Sequence, residues 1–291
     1  MSAVDRNQIN IFLRILLSIK SLFRLLIDCF SGTITFKQFL LDLRFRLISS
    51  KAVEYDDFDW EKYPEYYREE LKSIGRKHQL IISKEDYSII DGELESQREN
   101  LKPLHPNHKI LYEVIQKISP KSILEIGCGG GDHLANLLEL NHSLAVSGID
   151  RSEGQLEILK KRHSNLKAKI FVADITRPLT VNITSELVFS QAVLMHISES
   201  EGRFESALEN MFMLATDYLV LVENWTQHDF FAAINRIMAA NSDWKNARLY
   251  FKASKADTYS SALVISRNQT LDLQKLVDYS ELLAGRPLLT H

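Results

Sequence analysis

The feature that most constrains this chain is the stretch Ser122-Ile-Leu-Glu-Ile-Gly-Cys-Gly-Gly-Gly-Asp132. Its short apolar run, Ile123 to Ile126, predicts a buried parallel strand that ends in a glycine-rich turn. A helical pattern of leucines begins near Asp132. A strand, such a turn and a helix in this order are typical of a nucleotide-type binding site at the carboxyl edge of a parallel sheet. Glycine suits the turn because a side chain would clash with the ligand and because positive φ can be required.

The spacing of the glycines argues against a dinucleotide cofactor. Counted from Gly127, the fingerprint G-x-G-x-x-G needs its third glycine at position 132, where this chain has an aspartate. An acid, Glu125, precedes the turn inside the strand. The pattern acid-x-Gly-x-Gly-x-Gly, made by Glu125, Gly127, Gly129 and Gly131, resembles motif I of class I S-adenosylmethionine (SAM)-dependent methyltransferases. SAM has an ammonium that favours a nearby acid and a carboxylate that favours backbone N–H groups.

Two further strand ends carry acids in the order of that family. Leu144 to Asp150 is predicted as a second strand, and the Asp150 carboxylate can accept hydrogen bonds from both ribose hydroxyls. Ile170 to Asp174 is predicted as a third strand, and the resemblance implies that Asp174 holds the adenine amino group. The resemblance also places Gln191, on the fourth strand, beside the methionine part of SAM. The predicted cofactor-binding residues are Glu125, Gly127, Gly129, Gly131, Asp150, Arg151, Asp174, Ile175 and Gln191.

The resemblance covers about Pro106 to Arg267 and implies an α/β fold. We expect a seven-stranded, mostly parallel sheet with strand order 3-2-1-4-5-7-6 and helices on both faces. The proline-punctuated segment Leu101 to Pro106 predicts a boundary. Residues 1–105 are then a helical N-terminal extension, 106–268 the SAM-binding domain, and 269–291 a C-terminal helix and tail, with the helix at Leu271 to Leu283.

Composition excludes several classes of protein. The net charge of −3 gives no global preference for nucleic acid. Two cysteines, Cys29 and Cys128, cannot build a disulfide framework, which favours a reduced, cytoplasmic setting. No secretory signal is expected, because charged residues interrupt the first apolar run. The Asn-Pro-Pro-Tyr signature of enzymes that methylate amino groups of nucleic acids is absent, so DNA and RNA are not expected as acceptors.

The N-terminal arm, residues 7–48, is apolar and basic. Residues 1–51 hold eight Lys and Arg residues against three acids. Three interpretations stay open: peripheral contact with the inner face of a membrane, contact with a partner or a second copy of the chain, and packing on its own domain. A transmembrane span is not expected, because charges recur every few residues. The aromatic stretch Asp56 to Glu70 is either a lid over the cofactor or surface packing.

Catalytic groups are expected at the carboxyl ends of the fourth and fifth strands. If the acceptor is a hydroxyl, a general base must remove its proton, whereas an amine needs only a neutral lone pair. The candidates are His196 after the fourth strand and Glu223 with His228 after the fifth. His133, at the start of a helix, is expected to be neutral and to cover the cofactor. No metal is expected, because no acid cluster follows the fourth strand and no Cys/His spacing fits zinc.

The sequence therefore predicts a SAM-dependent methyltransferase that releases S-adenosylhomocysteine (SAH). Its expected acceptor is a hydroxyl of a small molecule or glycan, and a membrane-proximal surface polysaccharide or lipid-linked sugar would suit the arm. The alternatives are N-methylation of a small molecule and a non-catalytic SAM-binding scaffold. An NAD(P)-dependent oxidoreductase is disfavoured by Asp132.

Overall fold

The computed structural model describes residue 30 and residues 63–199, 202–225, 227–255 and 260–276. The arm predicted at 7–48, apart from residue 30, lies outside this part of the chain, as do positions 56–62 of the aromatic stretch. Among the residues that are described, no helix combines the length and the hydropathy needed to cross a membrane.

Helices and strands alternate through most of the described chain. The helices are α1 (Tyr63–Lys77), α2 (Pro106–Ile118), α3 (Asp132–Leu140), α4 (Glu153–Arg162), α5 (Arg203–Leu214) and α6 (Phe230–Ala240), with a 3₁₀ turn at Leu194–His196. The strands are β1 (Tyr87–Ile90), β2 (Glu93–Ser96), β3 (Ser122–Ile126), β4 (Ala145–Asp150), β5 (Ala168–Val172), β6 (Ser185–Gln191), β7 (Ala215–Val222), β8 (Arg248–Ala253), β9 (Ser261–Ser266) and β10 (Gln274–Lys275).

Eight of these strands form one sheet, in the order β5-β4-β3-β6-β7-β9-β8-β10. The strands from β3 to β7 pair in parallel, and β9, β8 and β10 pair antiparallel. When β3 to β9 are numbered 1 to 7 along the chain, their order in the sheet is 3-2-1-4-5-7-6, which confirms the prediction. Strand order reverses at β3, which has β4 on one side and β6 on the other. In open α/β sheets, ligands bind at such a switch point, beyond the carboxyl ends of the strands.

The middle of the sheet is apolar on both faces. Ile123 and Leu187 pack with α2 in one hydrophobic cluster, while their neighbours Leu124 and Val188 pack with α5 in a second. All four side chains are fully buried. Successive residues of a strand point to opposite faces, so continuous apolar runs are what a parallel sheet covered on both sides requires.

The structure differs from the predictions outside this core. The extension is not helical throughout, because β1 and β2 form an antiparallel hairpin between α1 and α2. Asp91 and Gly92 connect the two strands with φ values of 52° and 79°, which is the backbone of a two-residue hairpin turn that Asp-Gly favours. The prediction of a helix at Leu271 to Leu283 is wrong for its first residues. There β10 adds an eighth strand to the sheet beside β8. Residues 277–291 lie outside the described part.

Candidate active site

A cleft of about 360 Å³ lies at the carboxyl ends of the parallel strands. Eight of the nine predicted cofactor residues line it, together with one of the three predicted catalytic residues. These nine residues are Glu125, Gly127, Gly129, Asp150, Arg151, Asp174, Ile175, Gln191 and His196. Gly131, Glu223 and His228 lie outside its lining.

The turn after β3 brings bare backbone to the cleft. Gly127 and Gly129 have φ values of 72° and 48°, a region in which side chains are strained. A Cβ atom on Gly127 would lie 2.4 Å from Cγ2 of Val193. Gly131 serves packing instead: it is the N-cap of α3, and a Cβ there would lie 2.6 Å from Cγ of Leu159.

The strand-end acids meet in this one cleft. Glu125 is buried, and its Oε2 has no hydrogen-bond partner among the described residues. Burial, with the nearby charges of Asp150 and Asp132, raises the pKa of Glu125 well above its usual range. Asp150 accepts a hydrogen bond from the Gly129 N–H at 2.8 Å and one from the Ser152 N–H at 2.9 Å. Asp174 accepts from the Thr176 N–H at 3.0 Å.

These residues fit the parts of SAM. The unpaired oxygen of Glu125 suits an ammonium group, because a buried carboxylate is costly unless a cation or donors meet it. The Asp150 carboxylate keeps further lone pairs for hydroxyl donors beside its two backbone bonds. The exposed glycine backbone lets a ligand approach closely. The cleft thus offers groups that suit the ammonium and the ribose of SAM beside bare glycine backbone.

Gln155 is a cleft residue that the sequence analysis missed. It lies in the first turn of α4, its side chain is buried, and neither its Oε1 nor its Nε2 has a partner among the described residues. Ser152 caps the same helix by accepting from the Gln155 N–H at 3.3 Å. The sequence could have indicated this residue. The helix after Asp150 begins at the carboxyl edge of the sheet, so a polar residue in its first turn lies near the predicted ligand.

Helix α1 covers the glycine-rich turn. Tyr63, Tyr67 and Glu70 line the cleft, and the Tyr63 hydroxyl donates to Oε2 of Glu70 at 3.1 Å. A Cβ atom on Gly130 would lie 2.8 Å from the Tyr67 hydroxyl oxygen. Burial is the main reason that the pKa of Tyr67 is raised. The described part of the predicted lid segment therefore lies directly over the turn.

A chain of buried hydrogen bonds fixes Gln191. Burial lowers the pKa of His133, so its ring is neutral at pH 7, as the sequence predicted. Its Nε2 donates to Oε1 of Gln191 at 3.2 Å, and its Nδ1 accepts from the Tyr112 hydroxyl at 2.8 Å. Asn136 donates to the Tyr112 oxygen at 2.9 Å. Because Gln191 accepts with its oxygen, its amide N–H groups are left for the cleft.

Two predicted catalytic residues hold a loop instead of facing the cleft. Glu223 is buried and accepts from the Ser190 hydroxyl at 2.8 Å and from the N–H groups of Val193 and Met195 at 3.1 and 3.2 Å. Burial raises its pKa to about 7 against the effect of these bonds. His228 lies with Nε2 3.1 Å from the Leu194 carbonyl oxygen. Both side chains point at the loop after β6. Their hydrogen bonds to the backbone of that loop occupy the atoms that would otherwise contact a substrate.

His196 does line the cleft, on the 3₁₀ turn of that loop. Burial, and to a smaller extent His228, lowers its pKa to about 4, so the ring is neutral at pH 7. Within the part of the chain that the structure describes, no group of three or more His, Cys, Asp or Glu residues is arranged to hold a metal ion.

One family model and several solved structures are similar to parts of this chain. Residues 123–217 match the family model of the methyltransferase domain. Among solved structures, the chain is similar to magnesium protoporphyrin IX methyltransferase from Synechocystis PCC 6803 with bound SAM, at 18% identity over 54% of this chain and 75% of the other, with a TM-score of 0.43. It is also similar to the methyltransferase domain of bacterial CtHen1, at 14% identity over 55% and 97%, with a TM-score of 0.46.

A third similar structure is the plantazolicin methyltransferase BpumL with SAH, at 14% identity over 56% of this chain and 82% of the other, with a TM-score of 0.41. Comparison with curated proteins gives no match. The matched segment runs from β3 into β7 and contains the glycine-rich turn with Glu125, Asp150 and Asp174. The methyltransferase-domain match over residues 123–217 supports a SAM-dependent methyltransferase and is consistent with the class I fold.

Proposed function

We propose that this methyltransferase acts on a hydroxyl group of a small molecule or a glycan. When bound, SAM supplies a methyl carbon activated by a sulfonium. The chain must hold the acceptor in line with that carbon, exclude water and take up the hydroxyl proton. An amine acceptor with a free lone pair would need no group for the proton.

The neutral imidazoles of the cleft carry this proposal. His108 and His196 line it, and burial lowers the pKa of both. A ring that is neutral at pH 7 has a lone pair for a proton, which a hydroxyl acceptor needs and an amine does not. Tyr63 and Tyr67 bring hydroxyl groups to the same cavity, and Leu71, Ile74 and Leu80 bring apolar surface. This lining suits an acceptor that has both apolar surface and hydroxyl groups.

The test is to identify the methylated product. Cell extract is incubated with the protein and SAM labelled with ¹³C in the methyl group, and mass spectrometry with NMR locates the label. We expect a methyl ether, formed by the wild-type chain and not by Asp150→Asn, which removes the charge of the predicted ribose ligand. A methylamine would contradict the proposal and favour N-methylation. Clear binding of SAH without any labelled product would favour a SAM-binding scaffold.

A further inference from the structure

Four histidines form a row of ring contacts that ends at the cleft. His78 follows α1, His105 caps α2, His108 lies in the first turn of α2, and His133 lies in the first turn of α3. The ring centroids are 5.1 Å apart for His78 and His105, 5.1 Å for His105 and His108, and 4.6 Å for His108 and His133. The last three line the cleft.

The histidines of this row differ in what their ring nitrogens do. His133 uses both nitrogens, toward Tyr112 and Gln191. Nδ1 of His105 accepts from the Asn107 N–H at 3.3 Å and caps α2. The ring nitrogens of His108 form no hydrogen bond with any residue that the structure describes, although its side chain lines the cleft. A polar ring that lines a cavity and has no hydrogen-bond partner among the described residues is available to bind a ligand.

The surroundings of His108 keep its ring neutral. Burial lowers its pKa well below the usual range, and the neighbouring histidines 133, 105 and 78 act in the same direction. The ring therefore has a lone pair at pH 7; it is a weaker base than a free imidazole, and it releases an accepted proton to water readily. It also stands next to His133, the residue that fixes Gln191 beside the predicted methionine subsite.

We propose that His108 accepts the proton of the acceptor hydroxyl. This inference rests on the proposed function, and it assigns to α2 a role for which the sequence analysis named His196, Glu223 and His228. The acceptor oxygen forms a bond to the methyl carbon while the bond from that carbon to sulfur breaks, with its electron pair left on sulfur. The hydroxyl proton passes to a ring nitrogen of His108, and the resulting imidazolium later loses it to water.

The first test uses the same extract and labelled SAM with variants of the full chain. We expect His108→Ala to form methyl ether at least about 100-fold more slowly than wild type, the loss typical of removing a general base. SAH affinity, measured by calorimetry, should change less than threefold, and added imidazole should restore part of the rate. His142→Gln, which changes an exposed histidine, is the matched control and should act as wild type.

Each outcome of this test supports or overturns one proposal. A wild-type methyl ether that His108→Ala also forms at the wild-type rate overturns the role of His108 and leaves the proposed function standing. The same holds if His196→Gln alone abolishes the product. A wild-type chain that forms no methyl ether overturns the proposed function, and the role of His108 with it.

A second measurement needs no acceptor and no folded variant. Diethyl pyrocarbonate acylates neutral imidazole nitrogens that it can reach, and peptide mass spectrometry locates the product. In the wild-type chain we expect modification of His108 and of the exposed His142, and protection of His133, whose nitrogens are both bonded. Protection of His108 under conditions that modify His142 would overturn the assignment.

Discussion

Glu125 is the residue whose surroundings are hardest to explain without a ligand. It is fully enclosed at the end of β3, and its Oε2 has no partner among the described residues. Leaving such a group unpaired costs free energy in the folded chain. A ligand ammonium would remove that cost, so we expect Glu125 to add affinity for the amino acid part of SAM. The neighbouring acid, Asp150, is by contrast already bonded to backbone N–H groups.

Gly127 tests the need for bare backbone. Gly127→Ala adds the strain of a left-handed residue and places Cβ 2.4 Å from Val193, whereas Gly202→Ala adds the same strain with nothing within 4 Å. We expect Gly127→Ala to lower the free energy of unfolding by about 1–3 kcal/mol more than Gly202→Ala, as overpacking typically does. Urea unfolding measures this, and SAH binding should be lost in the first variant only. Equal effects of the two variants would show that Val193 moves away freely.

Tyr112 tests the bonds that hold His133 and Gln191. Tyr112→Phe leaves His133 Nδ1 and one N–H of Asn136 buried without a partner. We expect it to lower the free energy of unfolding by about 1–3 kcal/mol. Tyr250→Phe is the matched control, since Tyr250 is equally buried but, among the described residues, its hydroxyl forms one hydrogen bond, accepted from the Leu271 N–H at 3.2 Å. A cost no larger than that of the control would mean that the network does not stabilise the fold.

At the scale of elements, the loop after β6 depends on one carboxyl group. Burial raises the pKa of Glu223 from 4.5 to about 7, so the folded chain holds this proton more tightly than the unfolded chain. The protonated carboxyl therefore adds to the free energy of unfolding below pH 4.5, and this contribution is lost as the pH rises to about 7. The loss is about 3 kcal/mol.

Substitution of this carboxyl isolates its contribution. Between pH 4.5 and 8, the free energy of unfolding of the wild-type chain should fall by about 3 kcal/mol relative to that of Glu223→Gln. The measurement is urea unfolding of both chains across that range. Parallel curves for the two chains would show that Glu223 keeps an ordinary pKa in the folded state.

The local elements could be predicted from sequence, and the directions of side chains could not. The strand–turn–helix at Ser122 to Asp132 follows from apolar runs and glycines. Asp229 caps the start of α6 by accepting from the Ala232 N–H. The hairpin was missed although Asp91-Gly92 is a strong turn signal. His108 reaches the cleft only because the fold lays the first turn of α2 beside α3. Glu223 faces the loop rather than the cleft because its hydrogen-bond partners, Ser190, Val193 and Met195, lie about thirty residues earlier in the chain.

At the scale of the whole molecule, charge is unevenly distributed. The first 51 residues hold eight basic and three acidic side chains in a chain whose net charge is −3. A basic, apolar segment gains about 1 kcal/mol per Lys or Arg at an anionic membrane surface. Membrane contact, one of the three interpretations of the arm, is therefore the inference that liposomes can test.

Liposome binding tests the arm. The full chain should sediment with phosphatidylserine-containing liposomes at low salt and much less at 1 M salt, where charges are screened within about 3 Å. A chain lacking residues 1–31 should not sediment, and phosphatidylcholine liposomes are the uncharged control. SAH affinity should be equal for both chains, which shows that the shortened chain is folded. Equal sedimentation of the two chains would remove this inference.

The most direct test of the account is calorimetry with two ligands and two variants. SAH has the amino acid part that Glu125 is proposed to bind, and 5′-methylthioadenosine lacks it but keeps the ribose. We expect Glu125→Gln to weaken SAH binding by about 10- to 100-fold, as the loss of a charged hydrogen bond does, and to leave 5′-methylthioadenosine unchanged. Asp150→Asn should weaken both ligands. Wild-type affinity for SAH in Glu125→Gln, or a loss shared by both ligands, would contradict the convergence of these acids on one SAM molecule.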